Sequence, residues 1–175
     1  MEKYFVICVG LTVFSSCNSW KSTIKSDGGY EIAITNAIID FSHKSSLAKN
    51  DSTFIVDIKE INDEIICVGL LSSVGKFIIT KDRKRSRLPN RYLEYEKKLF
   101  YWNDKNFESN EQIIYKLNDY NLIDSVETVA HAELIIDDAK KGAKYYFCKR
   151  NLKNYKKVTT NKGMGDYKVP KLNCD

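Results

Sequence analysis

Hydrophobic residues fall into two rhythms along this chain, one with the period of a helix and one with that of a strand. In YEIAITNAIIDFSH, apolar positions 30, 34, 37, 38 and 41 draw a single stripe on a helix. Asp27 and two glycines stand before it as entry signals, while its β-branched content works against helix formation. Three β-rich runs follow, STFIVDIKEI, EIICVGLLS and GKFIITK. The breaks between them, Asn62-Asp63 and Ser73 to Gly75, are short and turn-like, which predicts an antiparallel meander. RYLEYE and KLFYWND read as the arms of a further hairpin. SNEQIIYKLNDY predicts a second helix, opened by Ser109 with Gln112 three residues on in a capping-box pattern. Two more strands, AELIID and AKYYFCK, are separated by a polar DAKKG turn. A short helical or loop piece around Asn151 to Tyr155, a strand-like KKVTT and a tail from Gly163 to Asp175 follow. The expectation is α+β: a helix packed on an antiparallel β-sheet meander, with a second helix inserted late.

That helix-then-meander order resembles cystatin-like folds, a likeness of architecture that carries no function. The start of the chain has a different pattern. An apolar run of eleven residues, Tyr4 to Phe14, follows Met1-Glu2-Lys3. It is too short to span a bilayer, which takes about 20 residues, and matches a signal-peptide core. Ser15 and Ser16 come next, then Cys17. Here the sequence resembles a bacterial lipoprotein precursor, whose lipobox sets small residues before an obligatory cysteine. Phe14 stands where leucine is usual, a relaxed position that looks like the lipoproteins of the Bacteroidetes.

The resemblance implies cleavage between Ser16 and Cys17 and lipidation, including palmitate, at Cys17. Asn18, rather than an aspartate, implies an outer-membrane destination. The competing reading makes the same run the first β-strand of a cytosolic domain. The polar stretch NSWKSTIKSDGG after Cys17 favours a tether over a turn into a sheet. The expected organisation is therefore a signal peptide over 1–16, a tether over 17–29 and one α+β domain over 30–175.

Removing sixteen of 175 residues leaves 159, enough for a single domain with a real core. With 43% hydrophobic and 29% charged residues the chain is ordinary globular material rather than disordered. A formal charge of +5 is modest and does not by itself imply nucleic acid. Of five cysteines, Cys8 leaves with the signal and Cys17 is taken by lipid. Cys67, inside IICVGLL, reads as a buried small hydrophobe. Cys148 and Cys174 flank polar, basic sequence and can staple the C-terminal tail; free thiols are the alternative. No CxxC occurs, so neither a redox motif nor a zinc knuckle is supported.

Catalytic patterns fare poorly. GLLSSVGKF, Gly69 to Phe77, has five residues between its glycines where a P-loop has four, and Phe77 replaces the magnesium-binding hydroxyl. It reads as a hairpin turn. The two histidines, His43 and His131, have no His or Cys at ligand spacing, so no metal and no cofactor is expected. His131 with Asp137 or Asp138 and Ser125 is an imaginable triad, but nothing resembles a nucleophile elbow. Asp137 and Asp138 fit a solvated hairpin end, and the G-x-G at Gly163 and Gly165 precedes no helix.

Two features remain as candidate interaction surfaces. KDRKRSRLPNR, Lys81 to Arg91, holds six basic residues, among them Arg83, Lys84, Arg85 and Arg87, against one acid. Beside a lipid anchor it can touch anionic headgroups; the plain alternative is a solvated loop. The second is aromatic: Tyr92, Tyr95, Tyr101 and Trp102, with Phe100, crowd the expected hairpin. Those facing outward would form a platform for sugar or protein, whereas ordinary packing would bury them. The function expected is that of a lipid-anchored, non-enzymatic envelope protein binding a protein or another envelope component, not nucleic acid. An envelope hydrolase or a small-ligand or sugar-binding protein is the alternative.

Overall fold

The computed structural model describes residues 21–22, 30–73, 75–78, 88–104, 111–124, 141–160 and 168–175. Helix α1, Tyr30–Lys44, forms where the 3.6-residue stripe predicts it. It buries Ala33, Ile34, Ala37, Ile38 and Phe41 on one side, while Tyr30, at the head of the expected stripe, lies at the surface. There the Tyr30 hydroxyl donates to the Glu60 carboxylate. A short helix, α2 (Leu47–Asn50), follows and adds Ala48 to the same core.

The strands in chain order are β1 (Lys21–Ser22), β2 (Thr53–Glu60), β3 (Ile65–Ser72), β4 (Phe77–Ile78), β5 (Arg91–Tyr95), β6 (Lys98–Trp102), β7 (Ile123–Asp124), β8 (Gly142–Cys148) and β9 (Asn151–Thr160); helix α3 (Glu111–Asp119) precedes β7. The main sheet runs β1-β5-β6-β2-β3-β8-β9. Two residues of the expected tether, Lys21 and Ser22, pair with Glu94 and Leu93 at one edge. Within this main sheet every pairing is antiparallel except β2 with β6, which is parallel from Thr53↔Leu99 to Ile55↔Tyr101.

Local chemistry fixes the two clearest hairpins. Between β2 and β3 the Asn62 side-chain oxygen accepts from the Glu64 and Ile65 amides at 3.0 and 2.8 Å, an Asx turn that reverses the chain. Between β5 and β6, Glu96 and Lys97 both take positive φ, 49° and 59°. That is the two-residue turn whose twist matches its strands.

The expected meander stops after two strands. The described part of GKFIITK, 75–78, does not return against β3. Its Phe77–Ile78 segment pairs in parallel with Ile123–Asp124 as a separate two-stranded sheet, so Gly69 to Phe77 is not a hairpin turn. The free side of β3 is taken instead by β8, along Ile65↔Cys148 to Leu71↔Gly142. Seven of the eight β3 residues are buried. A strand covered on both faces reads as a continuous apolar run and carries no signal of which neighbour it will take. A second correction concerns Asn151 to Tyr155, expected as helix or loop, which is the first half of the ten-residue strand β9.

The core lies on both faces of this sheet. One face packs under α1, with Phe54, Val68, Leu93, Phe100, Tyr145 and Phe147 among its residues. The opposite face is covered in two places. Helix α3 seals Tyr92, Leu99 and Tyr101 with Ile113 and Leu117, and the tail sets Leu172 and Cys174 against Ile65, Cys67 and Tyr146. Among the described residues no helix is long and apolar enough to cross a membrane.

Candidate functional site

Two charged side chains are buried among the described residues: Arg91, which lies 3.8 Å from Glu31, and Asp40, on which several donors converge. Asp40 sits in the buried half of α1, between Ile39 and Phe41. A carboxylate there survives only if it is paired and hydrogen-bonded. Four donors meet it: Lys44 Nζ at 2.5 Å, Tyr145 Oη at 3.0 Å, Tyr155 Oη at 3.1 Å and Lys157 Nζ at 3.2 Å. The two tyrosines and Lys157 come from β8 and β9, so this cluster ties α1 to the far end of the sheet. Lys157 also lies over the Tyr145 ring, 5.4 Å from its centroid.

Burial works to raise the Asp40 pKa, but the bonds from Lys44, Lys157 and Tyr145 outweigh it and hold the carboxyl at about 2. Burial, then the Asp40 charge, push the Tyr145 hydroxyl well above its ordinary range. An acid this low is a poor proton acceptor at neutral pH, and its lone pairs are already engaged. The cluster is therefore a structural tie.

Beside it lies an open groove of about 280 Å³ between α1 and β9, lined by Asn36, Ile39, Asp40, His43, Lys44, Lys153 and Tyr155. His43 Nε2 stands 3.0 Å from the Tyr95 hydroxyl and 3.1 Å from Glu96 Oε1, linking the end of α1 to the β5–β6 turn. Among the described residues no group of three His, Cys, Asp or Glu is placed to hold a metal ion.

The aromatic hairpin residues do not form a platform. Tyr92, Tyr95, Tyr101 and Trp102 keep 6%, 8%, 4% and 5% of their surface. Tyr95 and Trp102 pack under α1, whereas Tyr92 and Tyr101 pack under α3. The period-2 alternation is intact, but both faces of the hairpin are covered, so no face is left to stack a sugar. The Tyr101 hydroxyl is further tied to Ser73 Oγ at 2.5 Å.

Cys148 and Cys174 are joined in a disulfide, with Cα atoms 5.4 Å apart, and Cys67 is a buried free thiol. Cys17, Arg83, Lys84, Arg85 and Arg87 lie outside the described residues. So do Ser109, Ser125, His131, Asp137, Asp138, Gly163, Gly165 and the AELIID segment.

Sequence reasoning missed the Asp40 cluster. Its one signal was an acid inside the apolar run AIIDF. Comparison with protein-family models, curated proteins and solved structures finds no match.

Proposed function

We propose that this chain is a lipid-anchored envelope protein, held to the outer membrane through Cys17, that works by binding a protein or another envelope component in an inhibitory, immunity or accessory role. The observation that carries this reading is the eleven-residue apolar run closed by Ser15-Ser16-Cys17 and followed by polar sequence. The Cys148–Cys174 disulfide supports it, since such bonds persist in oxidising compartments outside the cytoplasm. Arg83, Lys84, Arg85 and Arg87 add a basic segment suited to anionic headgroups near the anchor.

Two measurements test this. Cells fed labelled palmitate should label the wild-type chain and leave Cys17→Ser unlabelled; equal labelling of both refutes the anchor. Crosslinking in intact cells should then capture one dominant envelope protein with the wild type and lose it with Cys17→Ser. No capture despite correct anchoring refutes the binding role.

A further inference from the structure

We propose that β9 is a docking edge for an extended acidic segment of a partner protein, which adds to the sheet as a further strand and sets acidic side chains over the groove between α1 and β9. This deepens the binding role proposed above and rests on it. Three observations converge. First, β9 ends the main sheet, and among the described residues no strand pairs with its far side. At ten residues it presents an edge of about 33 Å whose outward amides and carbonyls are suited to strand addition. Second, the groove lies beside that edge, on the α1 side of the sheet, so alternate side chains of an added strand would hang over it.

Third, the charge there is one-sided. The stretch Lys149 to Thr160 holds Lys149, Arg150, Lys153, Lys156 and Lys157 and no acid. Lys44 faces β9 from α1 across the groove. Asp40, the one acid among the groove's lining residues, is paired with Lys44 and Lys157. Lys153 lines the groove, and its ammonium meets no acid among the described residues.

Lysines on an edge strand keep like edges apart, so a second copy of this chain is a poor occupant. Two β9 strands side by side would set cation against cation. An acidic strand reverses that sign, gaining main-chain bonds along the edge and an ion pair at Lys153.

The test uses the full chain and three synthetic ten-residue probes: alternating Glu-Val, alternating Lys-Val, and the Glu-Val peptide with alternate amides methylated. The Glu-Val peptide should bind at least about tenfold more tightly than the Lys-Val peptide and slow amide exchange along β9. Lys153→Glu, an exposed substitution, should weaken that binding about fivefold while leaving thermal unfolding unchanged. Equal binding of the methylated peptide overturns the proposal, because charge alone would then suffice without strand addition. Protection of a different element, or no effect of Lys153→Glu, overturns it as well. The two readings fail separately. A cellular partner crosslinked to a surface away from β9 sinks the edge and keeps the binding role. Peptide binding at β9 with no partner captured in cells sinks the cellular role alone.

Discussion

At the scale of single residues, Asp40 meets four donors and ties α1 to β8 and β9. Its folded pKa of about 2 lies below the ordinary 3.8. A depressed acid contributes stability that is fully present above its unfolded pKa and is lost as pH falls through the folded one. The window is therefore pH 4 down to pH 2, and the shift corresponds to at most about 2 kcal/mol. Asp40→Asn keeps the shape but leaves Lys157 without its carboxylate, and should cost about 2 to 3 kcal/mol at neutral pH. Urea titrations of both proteins should show that difference shrinking by about 2 kcal/mol between pH 5 and pH 2. A gap that stays constant across the window would mean that the four donors do not act through the Asp40 charge.

Elements show why some of the fold was legible and some was not. Helix α1, the β2–β3 hairpin and the β5–β6 hairpin each announce themselves through contacts close in sequence: a stripe, an Asx turn, two alternating arms. The partner of β3 is β8, some seventy residues on, and no local pattern marks that choice. The burial of Tyr92, Tyr95, Tyr101 and Trp102 was hidden for the same reason, because period 2 says which residues share a face and not what covers it. The Asp40 cluster went unread: an acid within AIIDF gives no hint of its donors on β8 and β9. Two substitutions test the strand geometry. A Cβ on Gly142 would fall 2.3 Å from the Leu70 carbonyl oxygen, whereas one on Gly69 meets only ordinary contact at 3.6 Å. Gly142→Ala should thus cost about 2 kcal/mol or more, and Gly69→Ala should be neutral or stabilising by about 0.5 kcal/mol. At the β5–β6 turn, Lys97→Gly relieves a side chain held at φ 59° and should stabilise by about 1 kcal/mol in the same denaturation assay. Loss of stability there would contradict the positive-φ turn.

Across the whole molecule, the sheet is a single layer closed from two sides by unlike means. Helix α1 covers one face as a continuous lid, while the other is shared between α3 and the C-terminal tail. Helix α3 is fastened by Glu94, which accepts from Lys116 and from Tyr120 at 3.1 Å each. The described part of the tail, 168–175, has no helix or strand, so its place depends on what holds it. Asn154 Nδ2 donates to the Asn173 carbonyl at 2.7 Å, Lys156 Nζ to that of Lys171 at 2.5 Å, and Cys174 is bonded to Cys148. Beneath it Cys67 is buried, and burial pushes its thiol up to about 11. Two side-chain hydrogen bonds at the surface contribute little, about 1 kcal/mol each, so the disulfide dominates. Closing a loop across 26 residues of separation is worth about 3 kcal/mol in the chain-entropy model. Cys174→Ser should lower the unfolding free energy by about that amount. It should also turn Cys67 from a thiol inert to iodoacetamide at pH 8 into one that is alkylated in the folded protein, read by peptide mass mapping. Cys148→Ser should give the same Cys67 labelling, since either loss frees the tail. If Cys67 stays unlabelled in both variants while the remaining tail or strand cysteine reacts, then Ile65 and Tyr146 shield it unaided, and the tail is a passenger on the sheet.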